Sequence, residues 1–539
     1  MMIQKIYTIF FLLCFQSLYL QSQETYKIIP KDDEMIISDL VEVVAPPSLL
    51  AATNPKVLIG SNYFYADGRS QGVMLSEIDQ RLTSVGGSRL IGQRTNLTAV
   101  EILSIGTEHL ILGNLGSGGC YISKINAATQ NVLWSKGFQT TLDSMNIEAV
   151  DLWYQNNKMY VIANIHRLAG NPEGFVVMQL NANGEMEWSK WYTGSAITSH
   201  YYIGTSLTFS SDRSIIVTGR RESIVSSFDS EIFLLKISET GELQIQKILN
   251  FFNAFAKRLK PKNPYLDVNG INIHLVMQAV ERASDVGNLS VTMIDNDFNI
   301  RTWRNYSPKF QLEEFKLGSN KFMMSGQNPV GNGGVGYAMV GINNANAIPE
   351  IVDYYIDGFE NSSIATSSSI AFHRTWQKYI MAARSNQSDK PFISLAVRPE
   401  NKVSNCADTF SFTVTKDPID IVESLDVVAK DLSLETSNLN LILDAFEQSI
   451  EVVCSLTSTN QPNIQLELFP TLAVDYLQLI TDPINSNFKI LDLNGISVLS
   501  GITDSQNKID IQELIPGMYS IQVWNSRNGN YGISKFVKL

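Results

Sequence analysis

This chain of 539 residues is poor in charge, in cysteine and histidine, and in long apolar runs. Charged residues make up only 17% and hydrophobic residues 44%, a composition that excludes a disordered acidic chain. The 41 Lys+Arg against 53 Asp+Glu give a net charge of −12, which excludes a basic nucleic-acid binder. No interior segment supplies the roughly 20 continuous apolar residues of a membrane helix. We therefore expect a globular chain that binds no nucleic acid and has no transmembrane segment in its mature form.

The first residues have the pattern of an export signal. Lys5 precedes the apolar run Ile6–Phe15, whose length suits the roughly 7–15-residue apolar region of a secretory signal peptide. Ser22 offers a cleavage point, and residues 1–22 are therefore predicted to be a signal peptide. A single anchoring helix is the alternative, but polar residues from Gln16 onward arrive too early for it.

Three cysteines remain after the predicted signal. Export brings a chain into an oxidising environment, where thiols can pair. We predict a disulfide between Cys406 and Cys454, which flank one segment of alternating pattern; two buried free thiols are the alternative. Cys120 lies in an apolar strand pattern and is predicted to be a small core residue. With five scattered histidines, these cysteines form no metal site of recognised spacing.

Most of the chain has the pattern of β-strands separated by Gly, Asn, Asp and Ser. The clearest unit is Gly174–Tyr192, an apolar strand, an Asn-Gly turn and a second strand rich in aromatic residues. Weaker copies begin at Gly72, Cys120, Ile232, Leu289, Tyr337 and Phe392. An upstream partner strand is predicted within each of Lys56–Ile59, Leu110–Gly113, Met159–Ala163, Ser214–Gly219, Ile273–Gln278, Lys321–Ser325 and Lys378–Ala382.

The spacing of these units predicts the architecture. Successive copies begin 48 to 57 residues apart, close to the roughly 40–50 residues of a four-stranded propeller blade. A single four-stranded sheet cannot bury enough surface alone, whereas sheets around a common axis cover each other. We therefore predict an all-β protein with an about seven-bladed β-propeller over residues 50–402, and residues 23–49 as an extension that closes it. Trp134, Trp188 and Trp303 follow turns and are predicted to pack between blades, since aromatic residues mostly serve packing.

The stretch Phe175–Trp188 resembles the β-propeller repeats of secreted Bacteroidetes proteins, and the resemblance extends weakly over about residues 50–400. It implies a binding scaffold and no single activity.

The last residues have the pattern of a small all-β sandwich with tight turns, over residues 464–539. Its motifs are Asp492-x-x-Gly495, a Leu-x-x-Gly517-x-Tyr519 step and a basic ending with Lys535 and Lys538. These residues resemble the type A C-terminal sorting domain of the type IX secretion system. The usual Pro-Asn-Pro opening of that family is replaced by Phe-Pro-Thr-Leu. The resemblance implies handling by the type IX machinery and delivery to the outer surface of a Gram-negative cell or beyond it.

Residues 403–463 lie between the propeller and the tail. Their composition predicts a small disulfide-linked linker module, or extra strands docked on the last blade. The basic run Lys257–Lys262 is either a patch for an anionic glycan or a solvated loop joining two blades.

No linear motif assigns a catalytic, cofactor-binding or metal-binding residue. Gly331–Gly336 satisfies G-x-G-x-x-G, but a strand pattern follows it where a dinucleotide site needs a helix. We therefore expect a secreted or cell-surface, non-catalytic binding protein without a cofactor, whose ligand is an unidentified glycan or protein. An enzyme acting on polysaccharide with a site assembled from several blades, or an adhesin-like structural protein, are the alternatives.

Overall fold

The computed structural model divides into two compact units, Met1–Val453 and Cys454–Leu539. It describes residues 24–30, 35–44, 56–65, 71–78, 85–92, 96–129, 131–142, 144–167, 172–194, 200–223, 230–251, 260–269, 272–280, 287–317, 322–327, 335–343, 348–357, 368–373, 378–385, 392–399, 407–408, 413–415, 419–422, 427–445, 448–455, 468–469, 472–479, 487–492, 497–503, 507–524 and 531–539. Within these ranges there are 42 β-strands and no helix.

The described strands β1–β27 of the first unit lie in six antiparallel sheets, one of which has nine strands. Dividing that large sheet at its long strand β21 gives seven groups, called sheets 1 to 7. In chain order the strands are β1 (Glu24–Pro30); β2 (Met35–Val44), β3 (Val57–Tyr65), β4 (Gln71–Ile78), β5 (Val85–Gly92); β6 (Leu97–Ile105), β7 (Glu108–Leu115), β8 (Gly119–Asn126), β9 (Asn131–Thr140); β10 (Met145–Gln155), β11 (Lys158–Arg167), β12 (Pro172–Asn181), β13 (Met186–Gly194); β14 (His200–Phe209), β15 (Ile215–Ser223), β16 (Ser230–Ile237), β17 (Leu243–Phe251); β18 (Lys260–Asn269), β19 (Asn272–Val280), β20 (Gly287–Ile294), β21 (Ile300–Leu317); β22 (Phe322–Gln327), β23 (Val335–Asn343), β24 (Ile348–Asp357); β25 (Ser368–His373), β26 (Lys378–Ser385), β27 (Phe392–Pro399).

Each sheet takes four of these strands in order. Sheets 1 to 5 are β2–β5, β6–β9, β10–β13, β14–β17 and β18–β21, and sheet 6 is β21–β24. The long strand β21 joins sheets 5 and 6, because its first part pairs with β20 and its last part with β22. Sheet 7 is β25–β27 with β1, which pairs with β27 and so brings the N-terminal strand to the last sheet.

The predicted strands fall at equivalent places in these sheets. All seven unit starts lie in third strands, from β4 in sheet 1 to β27 in sheet 7. All seven upstream partners overlap second strands, from β3 to β26. The innermost strand of each sheet contacts strands of the next sheet, and sheet 6 contacts sheet 7 through β21, β22 and β25. The predicted all-β propeller architecture is confirmed.

The cores lie between neighbouring sheets, and β12 shows how one strand serves two of them. Phe175 and Val177 belong to the core shared with sheet 4, where the Phe175 ring stacks on Phe233 at 5.4 Å. Val176 and Met178 belong to the core shared with sheet 2. Because successive strand residues face opposite ways, a strand covered on both sides is continuously apolar.

Buried side-chain hydrogen bonds also join neighbouring sheets. The Asn164 amide on β11 donates to Gly204 O at 3.2 Å, and Gly204 N donates to Asn164 Oδ1 at 2.8 Å. Gly204 is a bulge position at which the register of β14 shifts. Asn62 binds the bulge residue Ala99 of β6 in the same way. These bonds satisfy backbone groups that a bulge leaves unpaired.

Seven further strands, between residues 407 and 455, lie at the outer edges of these sheets and are together called the circumferential segment. It adds one strand to the outer strand of each sheet. Its strands are β28 (Ala407–Asp408), β29 (Thr413–Thr415), β30 (Ile419–Val422), β31 (Val427–Asp431), β32 (Leu434–Asn438), β33 (Leu441–Ala445) and β34 (Gln448–Ser455). Their respective partners are β24, β21, β17, β13, β9, β5 and β1.

The second unit contains two small sheets with one buried core. Its strands are β35 (Leu468–Phe469), β36 (Leu472–Ala473), β37 (Tyr476–Leu479), β38 (Asn487–Leu491), β39 (Ser497–Ile502), β40 (Lys508–Asp510), β41 (Gly517–Trp524) and β42 (Tyr531–Lys538). The first sheet has the order β35-β37-β40 and the second β36-β42-β41-β38-β39.

Candidate functional site

One end of the propeller is defined by the starts of the innermost strands and is called the leading end. In sheet 3 the start of β10 pairs with the end of β11, as in Met145 with Arg167. In sheet 4 the start of β14 pairs with the end of β15, as in His200 with Ser223. Asn164 of sheet 3 donates to Gly204 O of sheet 4, and Leu207 N of sheet 4 donates to Asp151 of sheet 3. Each bond joins corresponding positions of the two sheets, so β10 and β14 run in the same direction. The leading ends of sheets 3 and 4 therefore lie side by side.

The leading end of sheet 3 carries two close side-chain pairs, each with one glutamate. His166 Nε2 on β11 lies 3.0 Å from Glu148 Oε2 on β10. Arg167 pairs with Glu173 at the start of β12. Glu148 is largely exposed, and its close approach to His166 holds the pKa of its carboxyl below the usual value despite partial burial.

The leading end of sheet 4 carries a second group. Arg221 Nη1 donates to Glu231 Oε2 at 3.0 Å, and Arg221 Nη2 lies 3.3 Å from His200 Nδ1. Arg220 Nη1 lies 3.0 Å from Glu222 Oε1. The side chains of Arg220 and Arg221 are 24% and 18% exposed, so each keeps only part of its guanidinium in contact with solvent. A bidentate donor held in this way suits a planar anionic or polar ligand group.

The basic run of the sequence reaches the same end of the next sheet. Lys260, Pro261 and Lys262 lie in β18, the innermost strand of sheet 5, and pair with β19. The interpretation of the run as a loop is therefore wrong for these three residues. Strand β18 begins at Lys260, and all three residues pair with β19 before the bulge that follows Lys262. Residues 257–259 lie outside the described ranges.

The charged groups of sheets 3 and 4 almost balance. Three arginines (Arg167, Arg220, Arg221) face four glutamates (Glu148, Glu173, Glu222, Glu231), a net charge of −1 from these seven side chains. Such a surface offers alternating donors and acceptors instead of one strong field. In the parts of the chain that the structure describes, no group of three or more His, Cys, Asp and Glu side chains could hold a metal ion.

The three tryptophans occupy packing positions, as predicted. The Trp134 ring lies against Gly184 in the β12–β13 turn, where an added Cβ would meet it at 2.7 Å. Trp188 covers Gly241 in the next sheet's turn and donates from Nε1 to Glu239 O at 3.0 Å. Trp303 is 3% exposed and lies 5.6 Å from the Phe251 ring. The predicted role in packing between blades is confirmed.

Cys120 is fully buried on β8 with its thiol unpaired, which confirms its predicted place in the core. Burial raises the pKa of this thiol to about 12. Cys406 and the side chain of Cys454 lie outside the described residues, as do the predicted signal peptide (residues 1–22) and most of the glycine run at 331–336. The strand β23 follows those glycines where a dinucleotide site would need a helix.

Most of the predicted sorting-signal residues lie on one strand pair of the second unit. Gly517 at the start of β41 pairs with Lys538 of β42. Tyr519 is buried, stacks on Phe536 at 5.5 Å and donates from its hydroxyl to Ile515 O at 2.8 Å. The other three predicted positions are Asp492, half-buried beyond β38, Lys535, exposed on β42, and Gly495, outside the described residues.

The charged pairs of the leading end were not singled out from the sequence. Their signal is a polar step at the end of the second strand, His166-Arg167 in β11 and Arg220-Arg221 in β15. These polar residues are visible in the sequence, but the side chains that they contact depend on the pairing and packing of the strands.

The fold and the tail define a class of protein, an all-β propeller followed by a small separate β-sandwich. Residues 467–538 match the family model described as "Secretion system C-terminal sorting domain". The predicted sorting domain is thereby confirmed, and the chain is a protein delivered to the cell surface or the extracellular space. No helix among the described residues is long and apolar enough to cross a membrane.

Several solved structures share features with this chain. The polysaccharide lyase Uly1 is 9% identical over 69% of this chain and 98% of its own, with a TM-score of 0.39. PorZ, a bacterial surface component of the type-IX secretion system of Porphyromonas gingivalis, is 8% identical over 90% and 74%, with a TM-score of 0.22. The extracellular domain of BT4673 from B. thetaiotaomicron is 10% identical over 96% and 99%, with a TM-score of 0.23. A search of curated proteins found no match.

Proposed function

We propose that this chain is an exported, non-catalytic binding protein that takes an extracellular glycan or protein ligand at the leading end of sheets 3 and 4. The observation that carries the proposal is the set of paired charges there, above all Arg221 between Glu231 and His200. Polar groups fixed by partners are suited to recognition, because little side-chain freedom is lost on binding. The sorting domain delivers the propeller to where such a ligand is met.

The lowered pKa of Glu148 favours a role in binding over a role as a general acid. A carboxyl that acts as general acid near neutral pH needs a raised pKa. The pKa of Glu148 is instead lowered by the close approach of His166. Glu148 is therefore an ionised acceptor, suited to the hydroxyl groups of a sugar or to a cationic side chain.

The proposal is tested by binding of the mature chain to immobilised heparin, alginate and neutral dextran as probes. The double variant R220A/R221A is expected to lose at least roughly tenfold in affinity for the bound probe, about 1.4 kcal/mol. Lys158→Ala is the matched control: Lys158 begins β11 at the opposite end and pairs with Glu187 at 2.9 Å. Equal loss in both variants, with both still folded, would overturn the assignment of this end. So would no probe binding and no protein captured from the cell surface.

The second candidate is an enzyme acting on polysaccharide, and the His166–Glu148 pair is the observation that favours it. A histidine 3.0 Å from a carboxylate can be oriented as a general base. Product release from any of the three probes, abolished by His166→Ala and retained by Lys158→Ala, would establish catalysis and reject the non-catalytic proposal. An adhesin-like role remains the third alternative, scored by cell attachment after deletion of the gene.

Two covalent features belong to the same proposal. The signal peptide of residues 1–22 is expected to be absent from the exported protein, which N-terminal sequencing tests. The Cys406–Cys454 disulfide is expected to appear as one linked peptide pair in non-reduced mass spectra, with Cys120 as a free thiol. Alkylation of all three thiols without reduction, in denaturant, would reject the disulfide.

A further inference from the structure

The circumferential segment visits the sheets in the reverse of their order along the chain. It begins on the outer strand of sheet 6, continues to sheet 5 and ends on sheet 7 after passing sheets 4 to 1. The sorting domain matched at 467–538 begins shortly after its last strand, which ends at Ser455. The fifth strand of every sheet therefore comes from the stretch just before the sorting domain.

On sheet 3 the circumferential segment is held by several kinds of contact. Five residues of β31 pair with β13, from Lys190 with Asp431 to Gly194 with Val427. Lys190 Nζ bridges Asp431 Oδ1 at 2.8 Å and Glu242 Oε1 at 2.9 Å, and so joins the segment to the next sheet as well. Lys430 Nζ lies 5.3 Å from the centre of the Trp191 ring. The segment is thus bound by backbone and side-chain contacts together.

Apolar side chains of the segment enter the cores between sheets. Leu432 and Leu434 belong to the core between sheets 2 and 3. Val427 belongs to the core between sheets 3 and 4, and Leu441 to the core between sheets 1 and 2. All four are at most 9% exposed. Each of these four side chains therefore packs against two neighbouring sheets and not only against the edge of one.

These contacts are far apart in sequence. Ser189 donates to Leu432 O across 243 residues, and Lys136 donates to Asn438 Oδ1 across 302. In contrast, neighbouring strands of sheets 1 to 5 are consecutive in the chain. Local strand pairs form before distant ones, because the loop-closure entropy of a distant pair is larger.

We infer that residues 407–455 form a closing clasp, added after the ring of sheets has formed and holding neighbouring sheets together at their rims. Each strand of the clasp occupies an outer edge that would otherwise present unpaired backbone groups. Because each strand of the clasp pairs with a different strand of the ring, the clasp can detach strand by strand, beginning at β34, its last strand, or at β28, its first. The blades keep their own pairings while the clasp is open.

The first test cuts the connection without removing the clasp. A protease site inserted in residues 401–405 of the full chain is cleaved in the folded protein. The clasp-and-tail fragment is expected to co-elute with the propeller fragment and to separate only in denaturant. Separation in native buffer, with the propeller fragment melting at the temperature of the uncut chain, would overturn the inference, because the ring would then be closed without its clasp.

The second test uses hydrogen exchange on the uncut chain. The double variant L432K/L434K is expected to speed exchange of β31–β33 amides by at least roughly tenfold, while β11 and β12 amides change less than about twofold. Thr436→Lys is the control, since Thr436 is an exposed residue of the same strand as Leu434. Equal acceleration in blades and clasp would show one cooperative unit and reject a separate clasp. Unchanged exchange in the double variant would equally reject it.

Discussion

The third strands of the sheets and the strands of the circumferential segment are both β-structure, but they are stabilised in different ways. In β12 Phe175, Val176, Val177, Met178 and Leu180 are all fully buried, because cores lie on both faces. In β32 only Leu434 is buried and the next four residues are exposed. The sheets are therefore stabilised by their own apolar strands, whereas the circumferential segment depends on sheet edges that the rest of the chain provides.

The largest loss of stability is expected from a substitution in the buried third strand β12. Phe175→Ala removes a ring stacked between Tyr192 and Phe233, and should destabilise the first unit by about 3–5 kcal/mol. Denaturant unfolding followed by tryptophan fluorescence measures it. Leu133→Ala, at a side chain 48% exposed, is the control and should cost under about 0.5 kcal/mol. A loss below about 1 kcal/mol for Phe175→Ala would contradict the two-sided core.

A buried histidine in sheet 5 makes the stability of the inner strands depend on pH. Burial lowers the pKa of His274 from 6.5 to about 4. The unfolded chain therefore binds more protons between these values, so stability present above pH 6.5 is lost as pH falls towards 4. The loss should reach up to about 3 kcal/mol at pH 4.

His274→Asn is expected to flatten this part of the curve, measured as the free energy of unfolding at pH 7, 6, 5 and 4. The comparison with the unchanged chain isolates the histidine, since carboxylate titration contributes to both proteins alike. Parallel curves for the two proteins would show that His274 does not titrate in this window.

Much of this inner architecture could be predicted from the sequence. Apolar runs such as Phe175–Met178 are continuous because both faces are covered, and an Asn-Gly turn follows this strand. The circumferential segment could not be placed, because its partners lie up to several hundred residues away and each strand has few buried positions. The leading-end site escaped for a related reason, since Arg221 and His200 become a pair only through the register of β14 and β15.

The hydrogen bonds between sheets should have an intermediate effect. Asn164→Ala leaves the amide and carbonyl of Gly204 without their buried partner, a loss of about 1–3 kcal/mol. Asn438→Ala is the matched control, because its hydrogen bond with Lys136 is exposed and should contribute little. Equal melting temperatures for the two variants would show that the bulge of β14 is held by packing alone.

The smallest effect is expected at the rim, where the segment meets solvent. Lys190→Ala removes ion pairs to Asp431 and Glu242, both of which raise the pKa of Lys190. The glutamate and aspartate are 66% and 91% exposed, so solvent screening should limit the loss to at most about 1 kcal/mol. The loss should also shrink between low and high salt, which melting at roughly 0.05 and 0.5 M sodium chloride measures. A larger, salt-independent loss would mean that the aliphatic part of Lys190, and not its charge, holds the circumferential segment. The segment would then be attached by packing, as the sheets are, and not mainly by weak surface contacts.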